Sequence, residues 1–316
     1  MGRKTEFQEI GEATKVVWDR FWEVAAPYRS ELWRYCRKIT GSPWDAEDLL
    51  QDTLMKTFAS LSALSHRTQP LNTRQYLFRV ATNHWIDQCR KKKRVLDDYE
   101  DEKTPDPHND YSLEVNDAIE TLVIHLPPKQ AVALVLTEAF QFKAKETADL
   151  MATTEGAVHA LLNRARKNLS ILQETAAGGQ QPPATSEEKD VIQAFVAAFN
   201  RRDYQGVANL LDEHAVYSFN TQNSHEYGRE SIKKYSLATA FKMKNMPFAR
   251  VTELWGEPVV LFITETRNEL NEVNRLVVED GKIVKWVGYY FCRELMKDAA
   301  DELQMKLEAL DPRYLV

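Results

Sequence analysis

The sequence predicts a multidomain protein in which two all-α domains precede an α+β domain. Apolar residues recur at helical spacing through residues 16–95 and 113–173, with little glycine or proline. An acidic stretch at 96–112 and a Gly-Gly-Gln-Gln-Pro-Pro stretch within 174–185 separate the blocks and predict linkers. Residues 186–316 mix helical patterns with strand-like runs, which predicts a mixed third domain. The length of 316 residues accommodates three domains of ordinary size.

The charge of the chain is acidic overall but basic in one place. The formal net charge is −6 and the pI is near 5.8, whereas a protein that binds DNA unaided is usually basic. Residues 90–94 are all arginine or lysine, and the acidic stretch 97–102 follows them. A confined basic patch in an acidic chain predicts a protein that reaches DNA through a larger partner.

Several classes of protein are excluded by composition. No apolar run approaches the ~20 residues of a membrane span, so no membrane partner is expected. Residues 1–12 are polar and lack the apolar core of a signal peptide, which predicts a cytoplasmic location. The three cysteines, Cys36, Cys89 and Cys292, are odd in number and far apart. We therefore expect no disulfide framework, no metal and no cofactor.

The first domain contains a helix with an acidic face. Ser42 and Pro43 predict the start of this helix, with serine as N-cap and proline at the first helical position. Asp45, Asp48 and Asp52 share the face opposite its apolar side. On spacing alone, this face is a solvated surface, but such a negative stripe can also pair with arginines of a partner helix.

A second helix of this domain is predicted from Thr73 and carries a polar stripe. Its buried side includes Leu77, Phe78, Ala81, Thr82, Trp85 and Ile86. Arg79, Asn83, Asp87 and Arg90 recur on the other side at steps of three and four residues. Asparagine can both donate to and accept from an exposed base edge, and arginine can hold a phosphate. A stripe of these residue types is therefore able to contact nucleic acid.

A helix-turn-helix pattern ends the second domain. Residues 145–151 predict a short helix, residues 152–154 a turn, and residues 155–169 a second helix that Thr154 caps. His159, Asn163, Arg166 and Lys167 face outward, opposite Val158, Leu162 and Ala165. The pattern alone is weak, because many helical bundles contain a turn of this kind.

Four segments read together resemble the extracytoplasmic-function (ECF) sigma factors of bacterial RNA polymerase. Residues 34–53, with Asp-Ala-Glu-Asp-Leu-Leu-Gln, and residues 76–87 resemble region 2 of that family. Leu-Pro-Pro-Lys-Gln at 126–130 and residues 154–169 resemble region 4. The match covers about half of the chain, and its two motif sets stand in the family's order.

The resemblance implies roles for particular residues. Core polymerase would bind the first helix through Asp45, Asp48, Gln51 and Asp52. The minus-ten element would be opened and read by region 2, through His66, Arg67, Arg79, Asn83, Asp87 and Arg90. The minus-thirty-five element would be read in the major groove by region 4, with His159 and Asn163 on bases and Thr154, Arg164, Arg166 and Lys167 placing the helix.

The third domain resembles the SnoaL-like cone fold shared with ketosteroid isomerases. An apolar helix stripe at 191–199, a helix opening at 228–232, strands at 259–264 and 275–278, and a hairpin turn at 279–283 carry this resemblance. Asp212, His214, Tyr217, His225 and Trp286 either line a pocket or, as we favour, belong to a core without catalytic activity. A final helix is predicted to carry an apolar stripe, which either caps its own sheet or packs on the sigma domains: Leu295, Ala299, Leu303, Leu307 and Leu310.

These observations predict an alternative sigma factor, not an enzyme. Its partners would be core RNA polymerase and promoter DNA, with the third domain modulating activity in cis through contact with the sigma domains. Two other functions stay open: a stand-alone helix-turn-helix regulator, and a third domain that senses a ligand or acts as an enzyme.

Overall fold

The computed structural model describes residues 6–64, 72–99, 125–175, 186–219, 224–242, 245–265 and 268–309. The chain divides into two compact units, the first up to Gly179 and the second from Gln180. Where it is described, the first unit is helical and the second mixes helices with a six-stranded sheet. This confirms the predicted fold class.

The first unit contains both predicted helical domains. Helices α1 to α4 form the first domain: Glu6–Thr40, Pro43–Ala59, Leu61–Leu64 and Thr73–Tyr99. Helices α5 to α7 form the second, with a π-helical turn Val135–Ala139 after α5: Pro128–Leu134, Ala144–Leu150 and Glu155–Thr175.

The start of α2 follows the local rules of helix capping. Ser42 has extended backbone angles, its side chain accepts a hydrogen bond of 3.4 Å from the Asp45 N–H, and Pro43 is the first helical residue. The predicted start is thus confirmed. Tyr35 and Phe78 are among the largest fully buried side chains of the core below it. The Tyr35 hydroxyl lies 2.6 Å from Thr82 Oγ1, which satisfies both groups in the interior.

Helix α4 extends further than the sequence predicts. It ends at Tyr99, whereas the linker is expected to begin at residue 96. No glycine or proline interrupts the chain between Thr73 and Pro105, so nothing local stops the helix earlier. Residues 100–112 of that linker and residues 176–185 of the second lie outside the described residues.

The two helical domains share an aromatic cluster. Phe140 and Phe142 of the second domain pack on Tyr35 and Phe78 of the first, with ring centroids 5.2–5.5 Å apart. Arg74 of α4 lies over the Phe142 ring, with Cζ 4.2 Å from the centroid, while its guanidinium donates to Glu31. The helical domains thus pack directly on each other.

The second unit is a mixed sheet covered by helices. Helices α8 and α9, Ser186–Asn200 and Tyr204–Leu210, precede it, and α10 and α11, Arg229–Ile232 and Ala238–Ala240, follow its second strand with a π-helical turn between them. Strands β1 to β6 are Leu211–Phe219, Ser224–Tyr227, Phe248–Leu254, Glu257–Ile263, Leu270–Glu279 and Lys282–Gly288.

The sheet order is β2-β1-β6-β5-β4-β3, and among these described strands β1 pairs with β6 in parallel while the other neighbours pair antiparallel. Phe195 and Phe199 of α8 pack on its inner face, as the apolar stripe predicts. The predicted hairpin turn is confirmed: Asp280 and Gly281 have φ of 48° and 68°, the left-handed values a two-residue turn between antiparallel strands requires.

The apolar stripe predicted on a long final helix is wrong beyond Glu302. Helix α12 spans Arg293–Glu302, and Gln304 has a φ of 52°, a left-handed conformation that ends the helix. Leu307 then forms a parallel bridge with Leu270 at the start of β5. Leu295 and Ala299 are fully buried and α12 packs on β5, so this part covers its own sheet. Leu310 lies outside the described residues.

Within the described ranges, no helix is long and apolar enough to cross a membrane. No group of three or more His, Cys, Asp or Glu side chains in the same ranges could hold a metal ion. Cys36 and Cys292 are buried and Cys89 is half-buried, and none of the three is in a disulfide.

Candidate polymerase and nucleic-acid interfaces

The acidic face of α2 is on the surface as predicted. Asp48 and Asp52 are exposed, and Asp45 and Gln51 are half-buried beside them. Glu47 lies between these residues in sequence, yet it is fully buried. The helix therefore places one carboxylate in the interior and presents the others to solvent.

Glu47 makes a buried ion pair that also holds Gln51. Its Oε1 lies 3.1 Å from Arg29 Nη2 and accepts a 3.0 Å hydrogen bond from Gln51 Nε2. The Arg29 guanidinium also lies 5.9 Å from the centroid of the Trp22 ring. Our sequence analysis missed this pair. The signal was present, because Glu47 falls in phase with Leu50 and so on the apolar side of the helix.

A second anchor holds Asp52. His84 of α4 reaches across to α2, with Nε2 2.7 Å from Asp52 Oδ2. Its Nδ1 faces the Lys56 ammonium, and Gln88 Nε2 lies 3.1 Å from the histidine Nε2. The sequence did not suggest this contact, because His84 and Asp52 are 32 residues apart.

The polar stripe of α4 is exposed over most of its length. Asn83, Asp87 and Arg90 are exposed, and Arg90 Nη1 donates a 3.1 Å hydrogen bond to Asp87. Arg79 is half-buried, and its Nε is buried without a hydrogen-bond partner in the described part of the chain. Trp85 is half-buried, less enclosed than predicted. The candidates His66 and Arg67 lie outside the described residues.

The predicted helix-turn-helix is confirmed in α6 and α7. The Thr154 side chain caps α7 by accepting from the Ala157 N–H at 3.2 Å. Val158, Leu162 and Ala165 are buried beneath the helix. The outward side chains are exposed as predicted: His159, Asn163, Arg164, Arg166 and Lys167.

Two of these outward side chains of α7 are already paired within the domain. Arg166 Nη2 lies 2.6 Å from Glu138 Oε1, and His159 Nε2 lies 3.9 Å from Glu155. Both pairs are exposed, so solvent screening keeps them weak. A DNA phosphate can therefore compete with Glu138 for the Arg166 guanidinium.

A polar cluster lies within the core of the second unit. The Trp286 Nε1–H donates a 2.7 Å hydrogen bond to Asn274 Oδ1, and the Asn274 amide adjoins the Glu272 carboxyl. A Cβ built on Gly288 would lie 2.3 Å from Glu272 Oε1 and 3.3 Å from the Tyr217 hydroxyl. Glycine at 288 therefore lets these polar side chains meet.

Burial changes the acidity of this cluster. Desolvation raises the pKa of Glu272 to about 7, although hydrogen bonds from the Asn274 side chain and from the backbone N–H of Tyr290 partly offset it. The pKa of Tyr217 is also raised, mainly by burial and further by the nearby carboxyls of Glu272 and Glu226. Glu272 is not among the residues that the sequence predicted for a pocket in this domain. It alternates in phase with Leu276 on β5, which indicates an inward position.

The five pocket candidates do not come together. Tyr217 and Trp286 are buried and stack with ring centroids 4.3 Å apart, in agreement with the core interpretation. His214 is exposed, and Asp212 accepts a 2.8 Å hydrogen bond from its backbone N–H. His225 is also exposed, and its Nδ1 lies 2.9 Å from Ser218 Oγ.

Family models match both helical domains. Sigma-70 region 2 matches residues 24–95, and sigma-70 region 4 matches residues 116–169. The acidic α2, the polar stripe of α4 and the helix-turn-helix of α6 and α7 all fall within these matches. The first unit is therefore that of a sigma-70-type sigma factor.

Curated relatives narrow the class. RNA polymerase sigma-E factor of Streptomyces avermitilis is 30% identical over 154 residues, which are 47% of this chain and 82% of that protein. ECF RNA polymerase sigma factor SigG of Mycobacterium tuberculosis is 27% identical over 238 residues, which are 65% of this chain. The match spans 63% of SigG's own length. The chain belongs to the ECF sigma factor family.

Solved structures also resemble the second unit. An NTF2-like protein of unknown function from Burkholderia xenovorans is similar over 40% of this chain and 88% of its own, at 14% identity and a TM-score of 0.28.

Proposed function

We propose that this protein is an alternative sigma factor that binds core RNA polymerase, recognises the minus-ten and minus-thirty-five promoter elements and initiates transcription in the cytoplasm. The observation that carries the proposal is the acidic face of α2, on which Asp48 and Asp52 are exposed and Asp52 is held by His84 of α4. Its work is binding and strand separation, and no catalytic step is assigned to its residues.

The docking face suits a basic partner. Asp48 and Asp52 are exposed, while Asp45 and Gln51 border them, so a partner helix with arginines would meet several carboxylate oxygens at once. The buried pairing of Glu47 with Arg29 keeps Gln51 oriented toward the same face. A pre-oriented surface loses less entropy on binding than a mobile one.

The polar stripe of α4 is proposed to read the opened minus-ten element. Asn83 and Asp87 are exposed and offer donors and acceptors to unstacked base edges, and Arg90 offers a cation to a phosphate. Arg79, with its unpartnered Nε, is assigned to the same strand. His66 and Arg67 keep the role that family resemblance implies, contact with a flipped base.

Helix α7 is proposed to enter the major groove of the minus-thirty-five element. His159 and Asn163 lie on its exposed face and would contact bases, while Thr154, Arg164, Arg166 and Lys167 would fix its position on the backbone. In-vitro transcription with core polymerase tests the whole assignment. A protein that bound duplex DNA tightly without polymerase and gave no transcript would instead be a stand-alone regulator.

Charge reversal on the docking face should weaken polymerase binding. The double variant Asp48→Arg with Asp52→Arg places cations where partner cations are expected, and the loss of core affinity should be at least about tenfold. Co-purification and equilibrium binding with core polymerase measure it. Glu253→Arg with Asp301→Arg makes the same change in net charge on exposed residues of the second unit and should bind normally. Equal binding by both double variants would contradict the docking assignment.

Two substitutions on α7 should separate base reading from backbone contact. Asn163→Ala should change the order of preference among promoters by about 1–3 kcal/mol at one position, because a base contact is lost. Lys167→Ala should weaken all promoters alike, because a phosphate contact carries no sequence information. A promoter library transcribed with each variant decides this, and parallel losses across the library would remove the distinction.

The SnoaL-like domain is proposed to modulate the sigma module in cis. The support is the short tether at 174–185, which gives the attached domain a local concentration in the ~mM range, so a weak interface would be occupied. The final helix adds no support, because Leu295 and Ala299 are buried in their own domain.

Removing this domain should change promoter output. Transcription by residues 1–177 is compared with that by the full chain at matched polymerase and promoter concentrations. A changed rate in either direction is the expected result, because the truncation abolishes the high local concentration. Identical rates and identical promoter affinities would show that the domain does not affect the activity of the sigma domains.

The polar cluster of the second unit favours a second candidate function, the reception of a small molecule. The cluster places the buried Asn274 amide beside the buried Glu272 carboxyl. A small molecule with polar atoms could form hydrogen bonds to both groups. A thermal-shift screen of residues 184–316 tests this candidate, with Asn274→Leu as the variant that should lose any stabilising ligand.

A further inference from the structure

His84 lies between the two helices that carry the candidate docking and minus-ten residues. It belongs to α4, next to Asn83, and its Nε2 contacts Asp52 Oδ2 of α2 at 2.7 Å. The histidine side chain is 14% exposed, whereas the Asp52 side chain is 54% exposed. A largely buried ring therefore holds a surface carboxylate from across a helix–helix contact.

The neighbours of the ring determine which nitrogen carries its hydrogen. Lys56 can only donate, so Nδ1 must accept from its ammonium. The Asp52 carboxylate only accepts, so Nε2–H must donate to it. The Gln88 amide adjoins the same Nε2, and a flip of that amide presents its oxygen there. This arrangement lets the ring form a hydrogen bond with each of its neighbours.

We propose that His84 is a positioning residue for polymerase docking. This inference rests on the proposed function, in which Asp52 meets a cation of core polymerase. His84 engages Oδ2 and leaves Oδ1 for a hydrogen bond to the partner. The carboxylate then enters the complex already oriented, so less rotamer entropy is lost on binding.

The contact between His84 and Asp52 also connects the docking face of α2 with the candidate minus-ten residues of α4. Asn83 and His84 are consecutive residues of α4, and Asp52 and Lys56 are one turn apart on α2. A partner that binds Asp52 is therefore connected, through the His84 imidazole, to α4. This helix carries Asn83 and Asp87. The minus-ten residues are thereby fixed relative to the docking face.

The test measures equilibrium binding of the full-length protein to core polymerase. His84→Leu should weaken binding about three- to tenfold, as expected for the loss of one hydrogen bond that orients a charged group. His84→Gln should restore most of the affinity, because its amide can donate to Asp52 and accept from Lys56. His214→Leu, an exposed histidine of the second unit, is the matched control and should bind like the wild type.

A double-mutant comparison separates positioning from general structure. If His84 acts through Asp52, His84→Leu should cause no further loss in an Asp52→Ala background. Equal binding by the wild type and His84→Leu would overturn the inference, as would an undiminished effect of His84→Leu when Asp52 is alanine. Thermal unfolding of each variant shows whether the fold is kept. If the wild type itself fails to bind core polymerase, the proposed function fails instead.

Discussion

Glu47→Ala is expected to destabilise the helical unit by about 3–5 kcal/mol, because the substitution removes the buried carboxylate that pairs with the Arg29 guanidinium. The Glu47 side chain is 0% exposed and that of Arg29 is 9% exposed. Removing the carboxylate also deprives Gln51 of its acceptor. Chemical denaturation followed by far-ultraviolet circular dichroism measures the change in the free energy of unfolding.

A paired replacement controls for this effect. Arg29→Met with Glu47→Leu removes both charges and fills a similar volume, so its stability should lie close to that of the wild type. The double variant should nevertheless bind polymerase less well, because Gln51 loses its anchor. A loss of less than about 1 kcal/mol for Glu47→Ala would show that water reaches Arg29 and that the pair is not structural.

Glu272→Gln is expected to stabilise the C-terminal α+β domain at pH 8 by about 3 kcal/mol and to leave it unchanged at pH 4. Burial raises the pKa of Glu272 from 4.5 to about 7 in the folded state. The folded protein therefore binds the proton more tightly than the unfolded chain. The stabilisation is complete below pH 4.5 and is lost as the pH rises to about 7, where the buried carboxyl ionises. Glutamine has no such ionisation.

The measurement is hydrogen exchange of the β5 and β6 amides in the full-length protein at both pH values. Glu253→Gln on β3 is the control, because Glu253 is exposed and should show no comparable gain. A wild-type domain whose stability is flat between pH 4.5 and 7 would contradict the raised pKa of Glu272.

The parts of this fold that depend on neighbouring residues were predictable from the sequence. The start of α2 needs only Ser42, Pro43 and the backbone N–H of Asp45, and the β5–β6 turn needs only Asp280 and Gly281. The buried face of α7 follows from the 3.6-residue period alone. These signals are local, so a single sequence contains them.

The interactions that organise the candidate site were not predictable in this way. Arg29 meets Glu47 across 18 residues, and His84 meets Asp52 across 32, so their contact depends on how helices pack. The prediction of a final helix that continues past Glu302 was wrong for a related reason. Leu303 and Leu307 keep helical spacing, but Leu307 is held by pairing with Leu270 of a distant strand. The spacing of apolar residues does not show that a tertiary contact, here the pairing of Leu307 with Leu270, competes with continuation of the helix.

The aromatic cluster around Phe78 couples the two helical domains energetically, so that separating them costs free energy. Phe140 and Phe142 are held against Tyr35 and Phe78, and Arg74 closes the cluster by binding Glu31. A state in which the domains part must expose several of these rings to water, at a cost of about 25 cal/mol for each Å² of apolar surface. The apparent affinity for any partner that selects the parted state falls in proportion to that state's population. Tighter packing of the two helical domains therefore lowers the apparent affinity for such a partner, because both processes draw on the same equilibrium between packed and parted domains.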